Sequence, residues 1–425
     1  MEIYYFFVIL ISLSAGFSYI NVRFLKLPFT IGLMVLGILF SLLIIFLKPV
    51  IPTIYSYADH IIGDIDFSEL IMDVMLAFLL FAGALHTDSS LLRQERRSVA
   101  TSAVVGVLLS TAIIGGLLFV IFQLFHIEME FIYCLLFGSL ISPTDPIAVL
   151  GILTKAKVPK KIEINIVGES LFNDGVGVVI FLTVLSVIRS TTPFSWTETL
   201  LLFIQETGGG ILFGWLLGLL MIRLLKTIDH FETEVMITLA LVMGGYLLAQ
   251  KIHISGPLAI VVAGLLTGGK GKLVAMSANT EAYVFKFWEL VDVLLNAILF
   301  VLIGLRILNL EIGKHYFIAS LIAIGVVLLA RWISVRMAVW LSGVRKDFGG
   351  KGTKLLVWGG LRGGLSIALA LSLSSNAFKD IIVFMTYMVV LFSILVQGLT
   401  ISPLAKKLYP PSSSKDEPEE KSASH

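Results

Sequence analysis

Charge is scarce in this chain. Only 14% of its 425 residues are charged, against about 25% in soluble domains, and so low a content excludes an ordinary water-facing surface. Cysteine occurs once, at Cys134, which excludes an intramolecular disulfide framework. The net charge is only +2, too small a surplus to point to nucleic acid, and no such partner is expected. The opening run MEIYYFFVILISLSAGF lacks the basic leader of a cleavable signal peptide and reads as a first membrane span. The glycine strings at 208–210 and 268–269 lack the strand–helix setting of a phosphate loop, and GESLF lacks the G-x-S-x-G nucleophile pattern. No cofactor and no enzymatic activity is therefore expected. The histidines are scattered near span ends, so no metal is expected beyond a transported monovalent cation.

What is present is apolar. Hydrophobic residues make up 57% of the chain and the mean hydropathy is +0.97. Stretches of about 20 such residues, each long enough to cross a hydrocarbon core of about 30 Å, recur from end to end. The expected fold is an all-α polytopic membrane protein with about thirteen spans, at 3–21, 28–47, 67–85, 99–125, 131–153, 164–188, 196–222, 233–250, 253–269, 287–305, 316–335, 355–374 and 380–404. Residues 1–405 form the transmembrane domain. Residues 406–425, which include PPSSSKDEPEEKSASH, have the Pro, Ser and Glu richness of a short disordered cytoplasmic tail.

The basic residues give the orientation. With this segmentation 23 of the 31 lysines and arginines fall on one side and six on the other, while Arg331 and Arg362 lie inside spans. Basic loops stay in the cytoplasm, so the N-terminus is expected outside and the C-terminus inside. An odd number of spans with this alternation makes spans 1–6 and 8–13 inverted repeats, an arrangement in which secondary transporters place their substrate near the midplane. Two spans of corresponding position are interrupted. Span five carries ISPTDPIAV (141–149) and span twelve WGGLRGGLSIA (358–368). Prolines 143 and 146 remove backbone donors, and the paired glycines loosen the other span.

The polar residues of GESLFNDGVGVVIF (168–181) need an explanation in so apolar a setting. Side chains four apart share a helix face, so Glu169 lies under Asn173 and Ser170 under Asp174, and the four line one strip. An aspartate facing lipid costs about 2.5–3.5 kcal/mol, so the strip is expected to face a cavity or other helices. Glu169 can be matched by Arg331, a structural ion pair. Asp174 has no evident partner. A desolvated carboxylate exchanges a proton near neutrality, and its oxygens also suit a small hard cation. Proton and cation cannot share the site, and that competition is an exchange mechanism by alternating access. One titrating carboxylate and a monovalent cation make it electroneutral.

The combination of SPTDP (142–146), GESLFNDGVGVV (168–179), FWELVDVLLN (287–296) and WGGLRGG (358–364) resembles the sodium/proton antiporters of the electroneutral branch of the cation:proton antiporters. The resemblance runs through all thirteen spans. It implies a homodimer in the cell membrane with a role in pH homeostasis, with spans five and twelve as crossed discontinuous helices. It also implies Asp174 and Ser170 as ion-binding residues, with Thr144 and Asp145 contributing from the break in span five. Asn173 then stands where electrogenic relatives place a second aspartate. Glu169 and Arg331 match a stabilising pair, and Arg362 matches the arginine of the second broken helix. The transported ions would be sodium and a proton, with membrane lipid as the remaining partner.

One position departs from the pattern. Several relatives carry an ion-coordinating glutamate where this chain has Ala82 in FLLFAGALHTD (78–88). Asp73 is nine residues earlier, about 13 Å along a helix, and cannot substitute. Lithium, and a potassium-selective or broad-specificity exchanger, therefore remain alternatives to sodium. A cation channel using Asp174 and Asp145 as pore charges is the alternative from another functional class. Glu289, Asp292 and Asn296, three and four apart near the start of span ten, read either as an inner funnel or as a solvated helix end.

Overall fold

A membrane interior offers the backbone no hydrogen-bonding solvent, so spanning segments satisfy their polar groups internally. In a computed structural model, which describes residues 2–53, 56, 69–145, 158–189, 195–309, 314–342, 345–374 and 377–409, every regular element is accordingly a helix. Pro146, the rest of the expected fifth span and the tail from residue 410 lie outside the described residues.

The helices follow in order as α1 (Glu2–Ile20), α2 (Phe29–Leu47), α3 (Leu76–His86), α4 (Ser89–Gln94), α5 (Val107–Leu124), α6 (Phe131–Ile141), α7 (Lys160–Arg189) and α8 (Trp196–Leu225). They continue as α9 (Phe231–Lys251), α10 (Gly256–Leu266), α11 (Ala278–Leu305), α12 (Lys314–Leu341), α13 (Arg345–Trp358), α14 (Gly364–Leu371), α15 (Lys379–Phe392) and α16 (Gly398–Leu408). Short π-helical turns lead into α3, α5 and α16, so that Leu70–His86, Arg96–Leu124 and Lys379–Leu408 each run on as one rod. Among the described residues ten helical stretches are long and apolar enough to cross a bilayer, and Leu70–His86 and Phe131–Ile141 are shorter apolar helices.

Capping sets several boundaries that hydropathy does not. The expected span at 287–305 is the last two thirds of α11, which starts at Ala278. There the Ser277 hydroxyl accepts the Thr280 N–H at 3.3 Å while the Thr280 hydroxyl accepts the Ser277 N–H at 3.0 Å. This reciprocal cap starts the helix two polar turns before the apolar run begins. Similarly, Ser255 caps α10 with Pro257 in its first turn, where a missing N–H costs nothing.

Of four apolar clusters among the described residues, two make up most of the core. One gathers Phe122, Phe137, Phe300 and Met385 from α5, α6, α11 and α15. The other surrounds the fully buried Trp288, whose ring lies 4.6 Å from that of Phe81 and whose indole N–H donates to Thr238 at 3.0 Å. Helix α7 runs between them, giving Leu171 to the second core and Val176 and Phe181 to the first. Its apolar window is 67% buried within the protein, against 28% for α1. Glu169 of α7 is accordingly buried within the protein.

Candidate functional site

The two chain interruptions meet beside α7. After α6 the backbone leaves the helix through Ser142, Pro143, Thr144 and Asp145, and between α13 and α14 it does so over residues 359–363. The Asp145 N–H donates to the Leu361 carbonyl at 2.8 Å, so each break supplies a backbone partner for the other. Such irregular backbone is tolerated at membrane depth only inside protein or against a cavity. Gly363 permits the contact, since a β-carbon there would collide with the Asp145 carboxylate.

Arg362 secures the first break from the second. Its Nη1 donates to the Ser142 carbonyl and, at 2.9 Å, to that of Pro143, while its own N–H donates to Ser393 at 2.9 Å. These carbonyls are among those a helix leaves without partners at its end, where the dipole also favours a cation. The arginine is fully buried at 2% exposure.

Side chains of α7 engage the same break. The Asn173 amide donates to the Thr144 hydroxyl at 2.8 Å and accepts the Thr144 N–H at 3.3 Å, and the Ser170 hydroxyl donates to the Thr144 carbonyl. Glu169 turns elsewhere. It is bound by Arg331 of α12, which also donates to the Leu356 carbonyl at 3.2 Å, and both charged groups are buried. Gly360 makes room for that guanidinium, which a β-carbon would overlap.

The polar strip of α7 therefore splits three ways. Residues 169 to 174 sweep about 140° of a helix with 3.6 residues per turn, wide enough for its edges to meet different neighbours. Asn173 and Ser170 hold the break, Glu169 is neutralised, and Asp174 is half-buried at the wall of a cavity of about 660 Å³. Whereas Glu169 has Arg331, Asp174 has only Asp145 as a charged neighbour among the described residues.

Thr144, Asp145, Asp292, Glu289 and Ala82 also line this cavity. So do His86, Asp88, Lys160 and Glu163 at helix ends. Asn296 donates to the Asp292 carboxylate at 3.0 Å, orienting it. At the mouth, Asp88 caps α4 by accepting the N–H groups of Ser90 and Leu91 at 2.9 and 3.2 Å. The Ser90 hydroxyl and these N–H groups hold its carboxyl below the ordinary range. Sequence reasoning assigned no site role to His86 or Asp88. Their apolar-then-polar context is shared by many helix ends, and only the fold shows that theirs borders the cavity.

An all-helical bundle in which interrupted helices meet beside a half-buried acid is a polytopic membrane protein built around a polar centre. Comparison with known proteins defines it further. The family described as "Sodium/hydrogen exchanger, transmembrane" matches residues 9–407. The Na+/H+ antiporter NhaP of Pseudomonas aeruginosa is 47% identical over 404 residues, which cover 94% of this chain and 95% of that one. The Na+/H+ antiporter NhaH of Halobacillus dabanensis is 33% identical over 95% of this chain and 98% of its own. The sodium proton antiporter MjNhaP1 of Methanocaldococcus jannaschii shares the fold, with a TM-score of 0.75 at 23% identity, covering 97% of this chain and 100% of that one. The chain belongs to the sodium/hydrogen exchanger family.

Proposed function

We propose that this protein is a sodium/proton antiporter in which the two ions compete for Asp174. The observation that carries the reading is the contrast between two acids five residues apart on α7. Glu169 is neutralised by Arg331, whereas the charge of Asp174 has no basic partner among the described residues and opens onto the cavity. Such a carboxylate is neutralised by a proton or by a cation, and not by both. Loaded with either, the site carries the same charge, so exchange is one for one and insensitive to membrane potential.

The surroundings suit that task. Among the described residues, six carboxylates, those of Asp88, Asp145, Glu163, Asp174, Glu289 and Asp292, line the cavity against Lys160. Their combined field, strongest at the more enclosed Asp145, Asp174 and Asp292, would concentrate cations at the site. Thr144 and Asp145 would share the ion with Asp174. Ser170, Asn173 and Arg362 would shape the break that presents them, and the Glu169–Arg331 pair would fasten α7 to α12.

The ten long spans, the two shorter apolar helices and the interrupted α13–α14 segment would make thirteen crossings with inverted halves, the reading that the meeting of the breaks at residues 142–145 and 359–363 supports. The excess of basic residues supports an N-terminus outside and a C-terminus in the cytoplasm. The cavity mouth at Asp88 and Lys160 then faces the cytoplasm, and alternating access requires a second state open to the other side. The working unit would be a homodimer, and residues 406–425 would form or continue into a cytoplasmic tail. Ala82 in the cavity wall favours a second reading, an exchanger that also accepts lithium or potassium, because a glutamate's oxygen is missing from the shell.

Proton flux in proteoliposomes on adding sodium, lithium or potassium, with the potential clamped and free, tests the proposal. Sodium-driven, potential-insensitive flux that disappears in Asp174→Asn is expected. Cation current without proton movement would mean a channel instead.

A further inference from the structure

A second cavity, of about 820 Å³, lies away from the ion site between α12 and α13. Its wall on α12 is the stripe Trp332, Arg336 and Trp340, four residues apart and therefore on one helix face. Lys354 and Trp358 of α13 line the other side. Trp340 is 64% exposed and Trp332 48%, although both sit on a helix that crosses the bilayer. Tryptophan takes such positions at the membrane–water boundary, where its ring meets the headgroups.

Basic charge predominates here in the sequence. Arg336 stacks over the Trp332 ring at 4.8 Å, which orders the guanidinium while leaving its donor fork free. Among the described residues neither Arg336 nor Lys354 is paired with a carboxylate. The stretch 336–354 carries Arg336, Arg345, Lys346, Lys351 and Lys354 against Asp347 alone. An ordered guanidinium, a facing ammonium and aromatic walls at the headgroup level recognise a phosphate attached to acyl chains. We propose that this cleft binds the phosphate headgroup of an anionic phospholipid, with the acyl chains lying along the exposed apolar face of α12 that includes Leu329 and Met337.

The site would act on the transporter through α12. On its inner face Arg331 grips Glu169 of α7 and the Leu356 carbonyl of α13. A headgroup held between Arg336 and Lys354 would brace the same pair of helices from outside, so the lipid is expected to stiffen the frame around Asp174.

Native mass spectrometry of the purified protein with phosphatidylglycerol, phosphatidylcholine or inorganic phosphate tests this without reference to transport, so a failed ion assignment would leave it standing. Phosphatidylglycerol should stay bound under conditions that strip phosphatidylcholine, and inorganic phosphate should not displace it. A basic side chain near an anionic surface is worth roughly a fivefold change in binding, so R336A/K354A should weaken phosphatidylglycerol about 25-fold. R223A/K226A, which removes two charges at the end of α8, should leave binding unchanged. Equal retention of the two lipids by the wild type, displacement by free phosphate, or an equal loss in the α8 variant would overturn the proposal. The wild-type comparison decides even if the α12–α13 variant does not fold.

Discussion

The backbone N–H of Asp145 donates to the carbonyl of Leu361 across 216 positions of sequence, at 2.8 Å. This bond joins the two places where the chain abandons helix inside the bundle. Each break would otherwise expose polar backbone that membrane interiors do not tolerate, so the interruptions depend on each other. Arg362, next to the acceptor residue, adds a charge at the carbonyls of Ser142 and Pro143.

Asp174→Asn should abolish sodium/proton exchange while the protein remains folded, because asparagine keeps the shape and loses the titratable charge. Proton flux in liposomes and a thermal melt in detergent read the two properties. Retained exchange would refute the assignment. In the wild type, well below the site's pKa, the sodium concentration for half-maximal exchange should rise roughly tenfold for each unit by which the pH falls, because one proton competes for the cation's site.

Glu169→Ala or Arg331→Ala alone should cost about 3–5 kcal/mol, since each leaves an uncompensated buried charge. The double variant should cost clearly less than the two single losses combined. Thermal unfolding of all four proteins closes the cycle. Additive losses would show that the pair is not coupled.

Gly363→Ala should lower the exchange rate more than it lowers stability, because a β-carbon there collides with the Asp145 carboxylate at the cavity wall. The backbone at Gly363 is extended, so the substitution carries no conformational penalty of its own. Gly244, on α9 with open space around it, is the control. Wild-type rates in Gly363→Ala would mean that the Asp145 position is unimportant.

Asp88 should give a pH dependence of stability at the cavity mouth. Its folded pKa is depressed by Ser90 and Leu91. The contribution is therefore fully present above the unfolded carboxylate pKa and is lost as pH falls through the folded one. Asp88→Ala should remove that acid-side loss and cost about 1 kcal/mol as a lost helix cap. Melting temperatures between neutral and acid pH, compared for the two proteins, measure both effects.

Much of this was legible in the residues. Apolar runs of span length, the excess of basic residues in alternate loops, and the Pro and Gly clusters at 143–146 and 359–364 follow from local chemistry, because lipid admits helices and those residues interrupt them. The same holds for the presence of acids on α7 and of arginines at 331 and 362. Helical periodicity sets the angles between Glu169, Ser170, Asn173 and Asp174, but it does not set the direction in which the helix faces. That was decided by the two cores packing against α7, which turn Asp174 to the cavity, Glu169 to Arg331 and Asn173 to Thr144. The bond from Asp145 to Leu361, and the company of His86 and Asp88 at the cavity mouth, likewise belong to the tertiary structure, since they depend on which distant helices come together.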